Sequence, residues 1–308
     1  MSHGHHPHGH HHAPHGHSAR ARLAIAVVLT LGFAVIEALA GWWSGSLALL
    51  GDAGHMVTDS TALAIAAVAA WMATRPPSER HSYGLGRMEV IAALLNGLFM
   101  LAVVAGIAAA AVGRLQTPVP VNAPTVMLVA GIGLLINITI ALTLSHGAHD
   151  LNTRGALLHV MGDLLGSVAA LASGVVIHFS GWTLIDPILS LFICAVILFS
   201  TLSLLRESLH VLMEGVPLNL DLPEVGKTMA RTEGVISVHD LHIWNLSSGE
   251  IALSAHVLVR SMVEWQTTLE RLCHRLDESF GISHVTLQPE SADVPIQWER
   301  ASRAPARP

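Results

Sequence analysis

Six long apolar stretches dominate this chain, near residues 21–43, 46–73, 88–113, 123–145, 154–179 and 182–204. Each reaches the roughly 20 residues that a helix needs to cross the hydrocarbon of a bilayer. Inside lipid the backbone N–H and C=O groups have no water to bond, so an isolated segment must satisfy them as a helix. The pattern therefore predicts an α-helical membrane protein of six transmembrane helices, with the lipid bilayer as its solvent. Charged residues make up 12% of the chain, against roughly 25% in a soluble domain.

The basic residues set the expected orientation. Arg20 and Arg22 precede the first stretch, Arg75, Arg80 and Arg87 flank the second loop, Arg154 lies in the fourth loop, and Arg206 follows the last stretch. On the other side stands Arg114. That asymmetry predicts a multi-pass protein with both termini cytoplasmic. It puts Trp42, Trp43 and Trp182 at the outer interface, where amphipathic rings settle.

The ends differ from the middle. Residues 1–19 are almost wholly His, Gly, Pro, Ala and Ser, and hold nine of the 21 histidines. Such a segment cannot build a core and is expected to be a disordered, metal-binding tail. Residues 20–213 form the expected membrane domain. From about 217 charged residues return, and helix and strand periods alternate. Residues 221–232 look helical, 235–244 and 250–259 look like strands, 264–280 is an amphipathic helix, and 284–290 is a last strand. The αββαβ order over 214–291 predicts a two-layer α+β domain. A Pro-, Arg- and Ala-rich tail over 292–308 closes the chain. Cys194 and Cys273 lie in unlike surroundings and predict no disulfide framework.

Polar residues inside the apolar stretches carry the chemistry. GDAGHMVTDS in the second stretch places His55 and Asp59 four apart, on one helical face. LLHVMGDLLGS in the fifth repeats that spacing with His159 and Asp163. Ionisable groups are costly at membrane depth and face a protein interior or water. Two imidazoles and two carboxylates suit a tetrahedral zinc ion, and the two negative charges balance a divalent cation. Asp52 lies one turn before His55 and reads either as part of the ion pathway or as helix-end structure. Glu37, Asn96, Asn137 and Asp186 read either as lining the path or as bridging helices.

With these segments the chain resembles the cation diffusion facilitators, a family of divalent-metal/proton antiporters. The resemblance covers residues 20–290 and rests on GDAGHMVTDS, HSYGLGRMEV, LLHVMGDLLGS, Asp186-Pro187, LMEGVP, HDLHIWNLSSGE, LSAHV and HVTLQPE. The paired His and Asp residues are similar to the zinc-transporting branch. The resemblance implies a homodimer, a C-terminal ferredoxin-like cytosolic domain, and a transport site of His55, Asp59, His159 and Asp163. In some members the loop after the second helix holds another metal. Here His81 matches, while Ser78 and Leu85 stand at the other two positions. His239, His242, His256, His284 and Glu290 match or neighbour the family's cytosolic regulatory metal site, and Gln288 stands near a position that is His in some members. Zinc is thus implied as the transported substrate and as the ligand of a regulatory site. Arg87 and Glu214, at the cytoplasmic ends of the third and last helices, are expected to pair and tie the membrane domain to the dimer.

Ligand chemistry suggests the coupling. Imidazole in water titrates near pH 6.5, and a metal binds only its neutral form, so protons and metal compete. The expected function is proton-coupled efflux of zinc, cadmium or cobalt across an inner bacterial membrane. A channel or importer with the same site, and a membrane metal sensor or buffer, are the alternatives. No nucleophile–base pair, P-loop or nucleotide fingerprint marks an enzyme, and nothing points to nucleic acid.

Overall fold

The computed structural model describes the backbone of residues 16–145, 151–247 and 249–291, and the side chains of 30–142, 160–247 and 249–291. The six long helices and the small α/β domain expected from the sequence are both present. The helices are α1 (Gly16–Ser44), α2 (Leu47–Ala73), α3 (Met88–Gln116), α4 (Ala123–Ser145), α5 (Leu151–Ser180) and α6 (Ile185–Leu212). Among the described residues, α2 to α6 each contain a span long and apolar enough to cross a membrane. Helix α1 begins at Gly16, inside the stretch expected to be tail; residues 1–15 and 292–308 lie outside the described residues. Helix α6 outruns its apolar window by a full two turns, because Arg206, Glu207 and His210 extend it with helix-compatible polar residues.

The chain divides into two compact units. One holds residues 1–63 and 98–201, the other 64–97 and 202–308. In the first, Phe33, Ala34 and Ala40 of α1 pack with Ala48, Leu49 and Met56 of α2, Val126 and Ala130 of α4, and Ala170 of α5. Glycines let the helices approach closely. A Cβ at Gly133 would stand 2.7 Å from the Phe33 ring, and one at Gly174 would stand 2.8 Å from Met127. Large apolar side chains such as Leu128, Leu135, Phe179 and Phe199 point outward, as lipid-facing residues must.

Asp186 ties the helix ends together. Its fully buried carboxylate accepts bonds from Ser46 Oγ at 2.6 Å, the Leu47 backbone N–H at 2.7 Å and Ser173 Oγ at 3.1 Å. It thereby caps the N-terminus of α2, where a negative charge also suits the helix dipole. Arg114 lies 3.9 Å away and donates to the Gly45 carbonyl. This acid is a helix bridge, one of the two readings its sequence allowed. Pro187 follows in the first turn of α6, where its missing N–H costs nothing.

In the second unit, α7 (Leu222–Ala230), β1 (Val235–Ser247), β2 (Glu250–Val259), α8 (Trp265–Phe280) and β3 (His284–Ser291) follow in the expected order. The sheet runs β1-β2-β3, with β1 antiparallel and β3 parallel to β2. Leu253, Ala255, Val257 and Val259 alternate along β2 and bury one sheet face with Val225 and Met229 of α7 and Leu272 and Leu276 of α8. The alternate residues, His256 among them, fall on the other face. Both cysteines are free thiols.

Replacing Asp186 with Ala strands three donors and a neighbouring arginine. We expect a loss of about 3 kcal/mol, the scale on which breaking a buried charged network destabilises, read as a lowered unfolding temperature in detergent. Asp186→Asn should lose less, because the amide oxygen still accepts from Ser46 or Leu47.

Candidate metal centres

One helical turn separates His55 from Asp59 on α2, so both project from the same face. His55 Nε2 lies 3.4 Å from Asp59 Oδ2 and 3.7 Å from Asp163 Oδ1 on α5. One ligand atom from each of the three residues falls within 4.8 Å of the others. Ligands bound 2.0–2.1 Å from a tetrahedral zinc stand roughly 3.4 Å apart, close to the two separations from His55. The Asp163 side chain is buried at 6% exposure, and His55 and Asp59 retain 17% each. His159 lies on α5 one turn before Asp163, and its side chain is outside the described residues.

A buried polar chain adjoins the ligands. Asp52, at 2% exposure, accepts a bond from Ser167 Oγ at 3.3 Å. Asn137 Nδ2 of α4 donates to the same Ser167 oxygen at 3.2 Å. Gly166 is bare where the Asp52 carboxylate sits: a Cβ there would collide with Asp52 Oδ1. The chain joins α2, α4 and α5 within one turn of the ligand pairs. Asn137 is thus a helix bridge. Ser167 and Gly166 escaped sequence reasoning, since only the approach of α5 to Asp52 gives them a role.

The second unit holds another cluster on the open face of its sheet. His239 of β1 pairs in register with His256 of β2. His256 Nδ1 is 2.7 Å from Glu290 Oε1, and His239 Nε2 is 3.3 Å from Glu290 Oε2. These three residues could together hold a metal ion. Between His239 and His242 the strand bulges, and Asp240 takes a left-handed backbone with φ of 52°, a region that Asp tolerates better than most residues. Its carboxylate lies 3.1 Å from His242 Nε2 and 3.9 Å from His256 Nε2. Asp240 was not singled out in the sequence, where it looks like an ordinary strand residue between two histidines.

The remaining candidates separate. His242 is exposed and linked to the cluster through Asp240. His284 opens β3, six residues before Glu290, which is roughly 20 Å along an extended strand. It stacks edge-on with Tyr83, ring centroids 5.8 Å apart, so the structure does not bring it to the cluster. His81 sits in a tight turn, its backbone exchanging hydrogen bonds with Ser78. It joins no ligand group among the described residues. Arg87 Nη2 and Glu214 Oε1 are 3.1 Å apart. Glu214 reaches this position through a left-handed backbone, φ of 59°, as the chain reverses after α6.

Long apolar helices thus bring two carboxylates and an imidazole to a spacing that could hold a metal ion. Residues 23–213 match the family model of the cation efflux transmembrane domain, and residues 217–292 match that of the cytoplasmic domain of cation efflux proteins. The chain belongs to the cation efflux family and is a transporter, not an enzyme. It is 39% identical over 293 residues to the zinc transporter ZitB of Escherichia coli, covering 94% of this chain and 93% of that one. It is 42% identical over 272 residues to the metal cation efflux system protein CzcD of Cupriavidus metallidurans, covering 88% and 86%. It is 37% identical over 275 residues to the cadmium, cobalt and zinc/H(+)-K(+) antiporter of Bacillus subtilis, covering 87% and 88%. A solved structure, the metal-bound C-terminal domain of the CzcD transporter, is 44% identical over 23% of this chain and 99% of its own length, with a TM-score of 0.22.

Gly166→Ala should force α5 away from α2 and spread the ligands. We expect metal affinity to fall roughly 10-fold, the lower end of what disturbing a ligand's support costs, as measured by equilibrium dialysis in detergent.

Proposed function

We propose that the chain exports zinc from the cytoplasm in exchange for protons, loading the ion on His55, Asp59, His159 and Asp163. The observation that carries this reading is the spacing of His55, Asp59 and Asp163 inside membrane-spanning helices. Cadmium and cobalt make overlapping demands on such ligands, and the names of the relatives include both metals. Protons compete with the metal for the imidazole nitrogens, so acid on the receiving side drives release.

The further parts follow the same reading. Both termini face the cytoplasm, the membrane is the bacterial inner membrane, and residues 20–213 form the transport domain. Residues 214–291 form a cytosolic domain that joins two copies of the chain. There His239, His256 and Glu290 hold a regulatory zinc, with Asp240 orienting His256 and His242 from the bulge. The Arg87–Glu214 pair secures α3 to the segment that leaves α6. The His-rich segment over residues 1–19 supplies weak zinc ligands beside the entrance.

Zinc flux into vesicles, with and without a pH gradient, tests the function. A sensor or buffer moves no zinc, and a channel or importer moves it without help from the gradient. Asp59→Ala and Asp163→Ala should each abolish gradient-driven flux in protein that still inserts, because each removes a ligand and half of the compensating charge. Wild-type flux in either variant would refute the four-ligand site.

The Arg87–Glu214 pair is partly exposed, and such pairs contribute about 0–1 kcal/mol. A double-mutant cycle of Arg87→Ala and Glu214→Ala on dimer stability should show coupling of that size. Strictly additive effects would leave the pair without a role.

A further inference from the structure

Two buried acids in the membrane unit have opposite surroundings. Asp186 accepts bonds from two hydroxyls and a backbone N–H, and Arg114 stands beside it. Glu37 of α1 is equally buried, at 0% exposure, yet neither of its oxygens accepts a hydrogen bond from any described residue. It forms no ion pair among the described residues. An acid that merely bridges helices is held as Asp186 is held. A carboxylate left without donors or a counter-charge in a membrane interior is costly as a permanent anion, and intramembrane acids of this kind mark ion and proton paths.

The neighbours of Glu37 lead to the metal ligands. Its Oε1 would lie 3.2 Å from a Cβ at Gly133, so α4 makes room for it by lacking a side chain there. The charged groups that act on it are Asp52 of α2 and Asp163 of α5. Asp52 sits between the α1–α2 turn and His55, and bonds Ser167, which is one turn from Asp163. Asp52 and Ser167 thus lie one turn from His55 and Asp163, at the level of the helices where Glu37 is buried on α1.

We propose that Glu37 carries the exchanged proton between the α1–α2 end of the bundle and the metal site, by way of Asp52 and Ser167. The proposal rests on metal–proton exchange as the function. As the metal leaves, the O–H bond of the Glu37 carboxyl breaks. Its proton passes along the chain, and an N–H bond forms on an imidazole of the site. The carboxylate then takes a new proton from water at the α1–α2 end.

The test measures zinc and proton flux together in vesicles, with zinc binding measured in detergent, for wild type, Glu37→Gln, Glu37→Asp and Asp163→Ala. Glu37→Gln should bind zinc with less than the roughly 10-fold loss that follows damage behind a ligand. Its gradient-driven zinc flux should fall about 100-fold, the scale of a lost proton-transfer group, and should no longer respond to pH on the receiving side. Glu37→Asp should recover part of both. A Glu37→Gln variant with the wild-type proton-to-zinc ratio and pH profile would overturn the relay. So would loss of zinc binding in monodisperse Glu37→Gln, which would make Glu37 a ligand or a packing residue. If wild type exchanges no protons for zinc, or Asp163→Ala exchanges them normally, the exchange reading itself fails, whatever Glu37 does.

Discussion

A divalent cation cannot rest in hydrocarbon unless protein charge meets it there, and under the proposed function that requirement falls on Asp59 and Asp163. Asp59 and Asp163 bring two negative charges to one place from two helices. Each would be costly alone at that depth. Their separation is set by how closely α2 and α5 approach, and that approach depends on residues that touch no metal. Gly166 admits the Asp52 carboxylate, Ser167 bonds it, and Asn137 bonds Ser167 from α4. At the helix ends, Asp186 fixes the start of α2. The ligand geometry is therefore a property of three helices held together, although its ligands sit on two.

The cytosolic unit solves a different problem with the same ligand types. Its sheet spends one face on the core and leaves the other open. Strand alternation alone puts Val257 inside and His256 outside. A bulge then turns Asp240 toward the histidines at the cost of an unusual backbone, φ of 52°. His239 is half exposed, so water reaches this cluster, and a metal held there under the proposed function would not need its charge balanced within the site.

Helix and strand positions were legible in the chain because their causes are local. Apolar runs located α2 to α5 to within a few residues. They failed at the end of α6, where Arg206, Glu207 and His210 carry the helix onward without apolar side chains, and at the start of α1, which reaches back to Gly16. The H-x-x-x-D spacing was legible for the same reason, since a period of 3.6 residues puts such pairs on one face. Ser167, Gly166 and Asp240 were not legible. The first two matter only because α5 meets Asp52, and the third only because β1 bulges. His284 shares a strand with Glu290, but distance along that strand separates them.

Charge also explains why exchange, and not one-way passage, suits this arrangement. With a divalent ion bound, two carboxylates leave the transport site close to neutral. Once the ion has gone, the same carboxylates would face each other in a low-dielectric interior, where like charges repel strongly. An empty site can return only if other positive charge takes the metal's place. Protons are small enough to do so without new ligands, and the imidazoles accept them where the metal was bound. Under the proposed function, the counter-ion is then a consequence of putting two aspartates in the membrane. Glu37 and Asp52 supply what that consequence needs: a route for protons to a site from which hydrocarbon excludes most water.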